Sequence, residues 1–408
     1  MRAASLRWAR LASAGWLGLL PVVGCVRAGF EPRDRGSACA VDRGACDAGG
    51  SVLADATPDA PVRDSGARAD RSGGADAGAG DRGADAAGAA GTLTLVTSVA
   101  SRLAGIGQSL ARDGNTVAVG VSEGEDGIEL LDLAEPASPR STGLLRTDLA
   151  PAQISATDND VLGLHLANGR AYLATYWGGL VVAEVSAGVP VHLGGLDLPG
   201  EAWAVQVARG RAYVANHTEG LAVVDIAVPT NPSLLYQLPL SGVTQDVQIV
   251  GTTLYVAART HFHVLDLPPV GPPTVVGTLD MTIHDPTGTV YEVWSEGHYA
   301  YVVSKTGRRL LVIDVVHPNA PVVVWSSPAG SLDYRGLDGS GSRLYVGTGV
   351  RGAGSIQVYD LSQPSAPRLL DELSTGAAIY ELAATRCGVV ASAFDGRVRV
   401  ASLQPCGP

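Results

Sequence analysis

The sequence predicts an all-β fold: a seven-bladed β-propeller of four-stranded antiparallel blades over residues 92–408, preceded by a signal peptide and a disordered tether. Three observations carry this. A tyrosine-centred line recurs at near-regular intervals, an acidic residue and a pair of prolines follow it, and the last unit lacks an outer strand that another segment supplies.

The bulk numbers agree with many short strands. Hydrophobic residues make up 46% but aromatics only 5%, and 52 Gly and 24 Pro supply turns in quantity. A formal net charge of −11 argues against a nucleic-acid partner, because a phosphate-binding face needs a basic stripe and none is present. Lys305 is the only lysine, which reads as compositional bias rather than chemistry.

The first residues read as an address. Arg2, Arg7 and Arg10 precede an apolar run over 11–20, and Val22-Val23-Gly24-Cys25 follows. A charged start, a short apolar stretch and small residues before the cut describe a secretory signal peptide over 1–24. The run is shorter than the roughly 20 residues a spanning helix needs. Val22 to Cys25 resembles a lipobox, whose cysteine is acylated and becomes the mature N-terminus. Acyl chains on Cys25 would anchor the chain firmly, each buried CH₂ contributing about 0.8 kcal/mol. Val26 is not the Asp that retains some lipoproteins in the inner membrane, so the outer membrane is the expected location.

Four further cysteines, Cys39, Cys46, Cys387 and Cys406, are an even count suited to an oxidising compartment. Sequence alone leaves their pairing open. The local solution is Cys39–Cys46 and Cys387–Cys406, and the second would stabilise the C-terminal blade by roughly 3 kcal/mol. Zinc is a poor alternative without a CxxC or a nearby His. Residues 25–91 follow as a tether. Their stretch from Ala48 to Ala90 is Ala, Gly, Asp and Arg with almost no large apolar side chains, so it cannot bury a core.

Repeats then begin. Gly169-Arg-Ala-Tyr-Leu-Ala, Gly210-Arg-Ala-Tyr-Val-Ala, Thr253-Leu-Tyr-Val-Ala, Tyr299-Ala-Tyr-Val-Val and Arg343-Leu-Tyr-Val-Gly place Tyr172, Tyr213, Tyr255, Tyr301 and Tyr345 about 41 to 46 residues apart. Val117 and Val390 occupy the same place in weaker copies at the two ends, which makes seven. After each line comes a turn and a second apolar run with an acidic end, as in Leu221-Ala-Val-Val-Asp225, Leu310-Leu-Val-Ile-Asp314 and Ile356-Gln-Val-Tyr-Asp360. Proline turns follow: Pro229-Thr-Asn-Pro232, Pro318-Asn-Ala-Pro321 and Pro364-Ser-Ala-Pro367. There the acidic side chain can bond turn N–H groups, and the prolines sit clear of the ladders. Runs such as Trp203-Ala-Val-Gln-Val-Ala before the line and Ser233-Leu-Leu-Tyr-Gln-Leu after the prolines complete four strands per unit. The last unit stops after Arg397-Val-Arg-Val-Ala401, and Thr92-Leu-Thr-Leu-Val-Thr-Ser98 reads as its missing outer strand. Pairing the two would lock the chain ends together and leave no open edge.

The Leu310–Asp314 and Leu221–Asp225 lines, with their downstream proline pairs, resemble the LVIVD-repeat proteins over about residues 105–405. That resemblance implies a β-propeller on a bacterial or archaeal surface and brings no catalytic residues with it. Blade 2 departs, with Glu184 in place of Asp and no proline pair, and the last blade lacks the acidic residue.

In a propeller the loops entering the first strand and those joining the second and third open on one face. Here that face collects Gln108, Tyr176, Trp177, Trp203, Asn216, His217, Asp246, His261, Tyr291, Glu292, Lys305, Arg308, Arg335, Tyr380 and Glu381. Such residue types around a pore suit a peptide or a polar small molecule, with a plain solvated rim as the alternative. Trp177, Trp203, His217, Asp246, Tyr291, Glu292, Arg335, Tyr380 and Glu381 are the candidate binding residues. His261 and His263 share one side of a strand but lack a third metal ligand, and Asp158-Asn159-Asp160 lacks EF-hand spacing, so no metal or cofactor is expected. No G-x-S-x-G, phosphate loop or Rossmann fingerprint occurs.

The favoured function is therefore a non-enzymatic, surface-tethered monomer that binds a protein or polysaccharide through its loop face. Two alternatives stand beside it. One is a metal-assisted hydrolase or lyase acting on sugars or lactones, marked by convergence of Asp246, Glu292 and Glu381 in the pore. The other is a purely structural envelope lipoprotein.

Overall fold

Most strands end where their apolar alternation meets a turn carrying Gly, Pro, Asn or Asp, and the described strands associate only with their neighbours in sequence, with one exception. The computed structural model describes residues 91–147 and 159–405. The expected signal peptide, the lipid site Cys25, the tether except Gly91, Asp158, and the cysteines Cys39, Cys46 and Cys406 lie outside them. Cys387 lies in the turn between residues 385 and 388, just before the penultimate strand.

The first strand, β1 (Thr92–Ala100), belongs to the last blade. Blade 1 holds β2 (Ile106–Asp113), β3 (Thr116–Ser122), β4 (Gly127–Asp132) and β5 (Arg140–Arg146). Blade 2 holds β6 (Val161–Ala167), β7 (Arg170–Thr175), β8 (Gly179–Glu184) and β9 (Val191–Leu196). Blade 3 holds β10 (Ala204–Ala208), β11 (Arg211–Ala215), β12 (Leu221–Asp225) and β13 (Ser233–Leu238). Blade 4 holds β14 (Asp246–Val250), β15 (Thr253–Ala258), β16 (His261–Asp266) and β17 (Thr274–Asp280). Blade 5 holds β18 (Val290–Glu296), β19 (Tyr299–Ser304), β20 (Arg309–Asp314) and β21 (Val322–Ser326). Blade 6 holds β22 (Tyr334–Ser340), β23 (Arg343–Val350), β24 (Ala353–Asp360) and β25 (Arg368–Ser374). Blade 7 holds β26 (Ile379–Thr385), β27 (Gly388–Ala393) and β28 (Arg397–Gln404), with β1 as its outer strand.

Each blade is a four-stranded antiparallel sheet in sequence order except the seventh, whose order is β1-β28-β27-β26. The expected ring closure is therefore observed. Thr92 pairs with Gln404 and Ala100 with Arg397, and the Leu93 N–H donates to Asp371 Oδ2 of blade 6 at 2.7 Å.

The recurrent tyrosines explain the repeat. Tyr213 packs on Val247, Leu254 and Leu265 of blade 4, Tyr301 on Leu337 and Leu344 of blade 6, and Tyr345 on Ile379 and Val389 of blade 7. Each ring thus fills the space against the next blade, and the Tyr301 hydroxyl reaches across to donate to Pro364 O at 3.0 Å. A core built between blades requires one large side chain per unit at a fixed register.

The acidic ends of the third strands act as read from the sequence. Side chains of Asp132, Asp225, Asp314 and Asp360 accept the N–H two residues on, at 2.8 to 3.0 Å. In blade 2, Glu184 substitutes for Asp and accepts the Ser186 N–H at 3.2 Å. Ser186 holds the Glu184 carboxyl below its ordinary value. In every blade the outermost pair carries a bulge. Beside several of these bulges sits a glycine pressed on the next blade's proline turn. A Cβ on Gly277 would lie 1.9 Å from Pro318 O. Gly277→Ala is therefore expected to cost about 1–3 kcal/mol through overpacking, read as a lowered melting temperature; an unchanged value would show that this contact yields freely.

Candidate functional site

The innermost strands of all seven blades line a channel holding a cavity of about 320 Å³. We call upper the face that carries the loops before each first strand and between each second and third strand. In five blades the innermost strand bulges near its upper start, with register shifts at Gly107/Ser109, Val161/Gly163, Val290/Glu292, Tyr334/Leu337 and Ile379/Glu381. The residues expelled from the ladder are Gln108, Leu162, Tyr291, Arg335 with Gly336, and Tyr380. A bulge re-aims the side chain it carries, so these strands turn selected residues toward the mouth. Upper loops also hold Glu123, His217, Arg259 and Arg308 in left-handed backbone, at φ between 46° and 57°. Such conformations cost free energy in non-glycine residues and tend to mark sites.

Aromatic rings run from the rim to the channel. Trp177, 42% exposed, meets Tyr176 edge-on at 5.1 Å, and Tyr176 meets Trp203 at 6.3 Å. Trp203 stacks on His217 at 5.3 Å and touches Tyr291 edge-on at 6.3 Å. That last contact joins blades 3 and 5 across the mouth, passing over blade 4. His217 is buried, with Nδ1 3.0 Å from Glu201 Oε2 and Nε2 3.4 Å from the Arg259 guanidinium. Cations cover the far rings: Lys305 Nζ lies 5.1 Å above Tyr291 and the Arg335 guanidinium 4.7 Å above Tyr380. Arg335 is itself buried and donates to Gly349 O at 3.3 Å.

Below the rings lie the acids. Asp246 Oδ2 accepts the Val293 N–H at 3.0 Å, and Asp338 Oδ2 accepts the Ala384 N–H at 2.7 Å. Gln206 Oε1 accepts the Ile249 N–H at 3.0 Å, and Glu292 accepts the Leu337 N–H. Four consecutive blades are thereby latched to the next by an acceptor facing the channel. Glu292 and Glu381 hydrogen-bond each other. Two carboxyls in that contact must share a proton. Burial, then each other's charge and that of Asp246, lifts Glu292 well above the ordinary range, and burial and Asp246 do the same for Glu381. Burial pushes Asp246 up to about 7 and Asp338 up to about 6, against the pull of their N–H donors.

The structure thus brings Trp203, His217, Asp246, Tyr291, Glu292, Tyr380 and Glu381 to one mouth, places Arg335 against Tyr380, and leaves Trp177 at the outer rim. Sequence reasoning missed Asp338, Gln245, Gln248, Arg112 and His165, which also line the cavity. Asp338, Gln248, Arg112 and His165 are polar residues inside first strands, and Gln245 directly precedes one. His263 is structural: Nε2 lies 2.7 Å from Ser241 O and Nδ1 3.0 Å from Thr278 Oγ1, so both ring nitrogens are engaged. Asp160 accepts the Glu123 N–H at 2.8 Å, holding a loop. Among the described residues no group of three His, Cys, Asp or Glu side chains is placed to hold a metal.

Comparison with known proteins adds the repeat and the fold. The LVIVD repeat matches residues 199–237 and 287–327. These stretches contain the Leu221–Asp225 and Leu310–Asp314 lines with their proline turns. No curated protein matches the chain. Among solved structures, the β-propeller domain of Cps50 (Swd1) from Myceliophteria thermophila is similar with a TM-score of 0.58 and 12% identity, covering 76% of this chain and 99% of that one. The WD40 β-propeller domain of Doa1 gives 0.55 and 11%, covering 76% and 96%. The computationally designed Ika8 protein gives 0.50 and 14%, covering 74% and 98%. At these identities the likeness is one of fold alone.

Proposed function

We propose that this chain is a non-enzymatic binding propeller, held at the cell envelope by a lipid on Cys25, that recognises a protein or polymer through its upper face. The aromatic path from Trp177 to Tyr291 is the observation that carries this reading. Large, rigid rings with little rotamer freedom are what interface hot spots are made of, and here Trp177 is exposed and Trp203 and Tyr291 are half-buried at the mouth, with the buried Tyr176 between Trp177 and Trp203. The lower face, by contrast, is occupied by turns whose polar groups serve the fold. Outer-membrane placement and a monomeric state belong to the same proposal.

Replacing Trp177, Trp203 and Tyr291 together by Ala tests it. Hot-spot truncations cost about 1–2 kcal/mol or more each, so capture of the envelope partner is expected to fall about 100-fold while the chain still melts cooperatively. Unchanged capture would remove the site.

A second reading has one observation in its favour. The Glu292–Glu381 pair is a proton-sharing carboxyl dyad in a cavity, the arrangement acid–base chemistry requires. Turnover of a sugar or lactone substrate by the wild type, abolished in Glu292→Gln, would establish it; equal rates in both would end it.

A further inference from the structure

The channel mouth is rich in acceptors that nothing satisfies. Gln245, 4% exposed, lines the cavity with its Oε1 buried and unpartnered, and Glu292, 8% exposed, does so with its Oε2. Gln248 Oε1 on the same wall is likewise buried and unpartnered. Buried acceptors without donors are costly, and native structures keep them where a ligand or ion arrives. Beside them stand the carboxyls of Asp246 and Glu381, so the missing partner is a donor that carries positive charge. Trp203 and Tyr291 wall the approach, and rings of this kind line an alkyl stem and attract a cation. The buried Trp203 Nε1–H has no partner either, and it suits a carbonyl oxygen carried beside the cation.

Resting on the binding reading above, we infer that the channel mouth takes the side chain of a lysine presented by a partner polypeptide. Its ammonium has three N–H donors and no acceptor, which matches Glu292, Glu381 and Gln245. Its four-carbon stem is thin enough to pass between Trp203 and Tyr291, and the peptide carbonyl of the same residue meets Trp203 Nε1.

The charges facing this site define its pH dependence. Acids come from β14 (Asp246), β18 (Glu292), β22 (Asp338) and β26 (Glu381), and Glu201 stands behind His217. Cations come from Lys305 over Tyr291, Arg335 over Tyr380, Arg259 beside His217, and Arg112 along the channel, while burial holds the His165 imidazole below its ordinary value and favours its neutral form. Without ligand the buried carboxyls hold protons below about pH 7; there an arriving ammonium must displace them, so binding strengthens with pH and releases protons.

The probe is Nα-acetyl-lysine methylamide, titrated calorimetrically into the full chain at pH 5 and pH 8, with the Nζ-acetylated compound as control. Expected are binding at pH 8, at least tenfold weaker binding at pH 5, proton release near pH 7, and no binding of the acetylated probe. Glu292→Gln with Glu381→Gln should lose at least tenfold at pH 8 while melting as cooperatively as the wild type. Equal affinity for both probes, or no binding of the lysine probe at pH 8, overturns the inference. If the aromatic triple variant then still loses its partner, the upper-face reading survives and only the lysine assignment falls.

Discussion

Deleting residues 92–100 is expected to abolish the single cooperative melting transition and to make the chain aggregate. Strand β1 does three things that no other segment can do. It covers the outer edge of β28 through eight paired positions from Thr92 to Ala100. It buries Leu93, 4% exposed, among Tyr345, Ile379, Val389 and Leu403. It also ties blade 7 to blade 6 through the Leu93 N–H and Asp371. Removing a buried leucine side chain alone costs about 2–5 kcal/mol, and a domain has a total stability of about 5–15 kcal/mol. The exposed edge of β28 would then template pairing with other chains. Circular dichroism melting with light scattering reads both effects, and Leu93→Asp should reproduce most of the loss. A deletion variant that melts like the wild type would show that the ring holds without its closing strand.

The second large effect is a loss of stability as pH rises. Asp246, Asp338, Glu292 and Glu381 all have folded-state values above those of exposed carboxyls. The folded state therefore binds protons more tightly than the unfolded chain. That contribution is fully present below about pH 4, the unfolded range, and is lost as pH climbs through about 6 for Asp338 and about 7 for Asp246. One retained unit of displacement corresponds to about 1.4 kcal/mol; His165, His192 and His263, held below their ordinary value by burial, work in the opposite direction over the same range, so the net fall between pH 5 and pH 8 should be on the order of 1–3 kcal/mol. Glu292→Gln with Glu381→Gln removes the buried charge and should flatten the slope and raise the melting temperature at pH 8. A wild type that grows more stable from pH 5 to pH 8 would contradict the buried, protonated dyad.

The fold was legible because each unit solves the same packing problem with the same residues. A tyrosine that must fill the space against the next blade recurs where that space recurs, and Asp225, Asp314 and Asp360 recur because each ends a strand at a turn with free N–H groups. Glu184 shows the limit: chemistry was kept while the letter changed, and only geometry shows that it caps the same turn. The closing strand could be inferred by counting, since three strands without a fourth leave an open edge. The site was legible only as a collection. Glu292 and Glu381 belong to blades 5 and 7, and nothing local brings their carboxyls together; closure of the ring does. The bulges at Tyr291 and Tyr380 decide which residues face the mouth, and they depend on cross-strand register, which a single strand's sequence does not encode. Asp338 lies within β22 among other polar residues. Its placement in the channel follows from the bulge at Arg335 and Gly336 just before it.

The most direct test of upper-face recognition is a photo-crosslinking side chain placed in turn at Trp177 on the upper rim and at Val228 in a lower turn, each in the full chain in its native envelope. Both positions are exposed, at 42% and 57%, so reactivity alone does not separate them. The account predicts a discrete covalent adduct from position 177 that excess Nα-acetyl-lysine methylamide suppresses, and none from position 228. Adducts of equal yield from both positions, or from 228 alone, would contradict it.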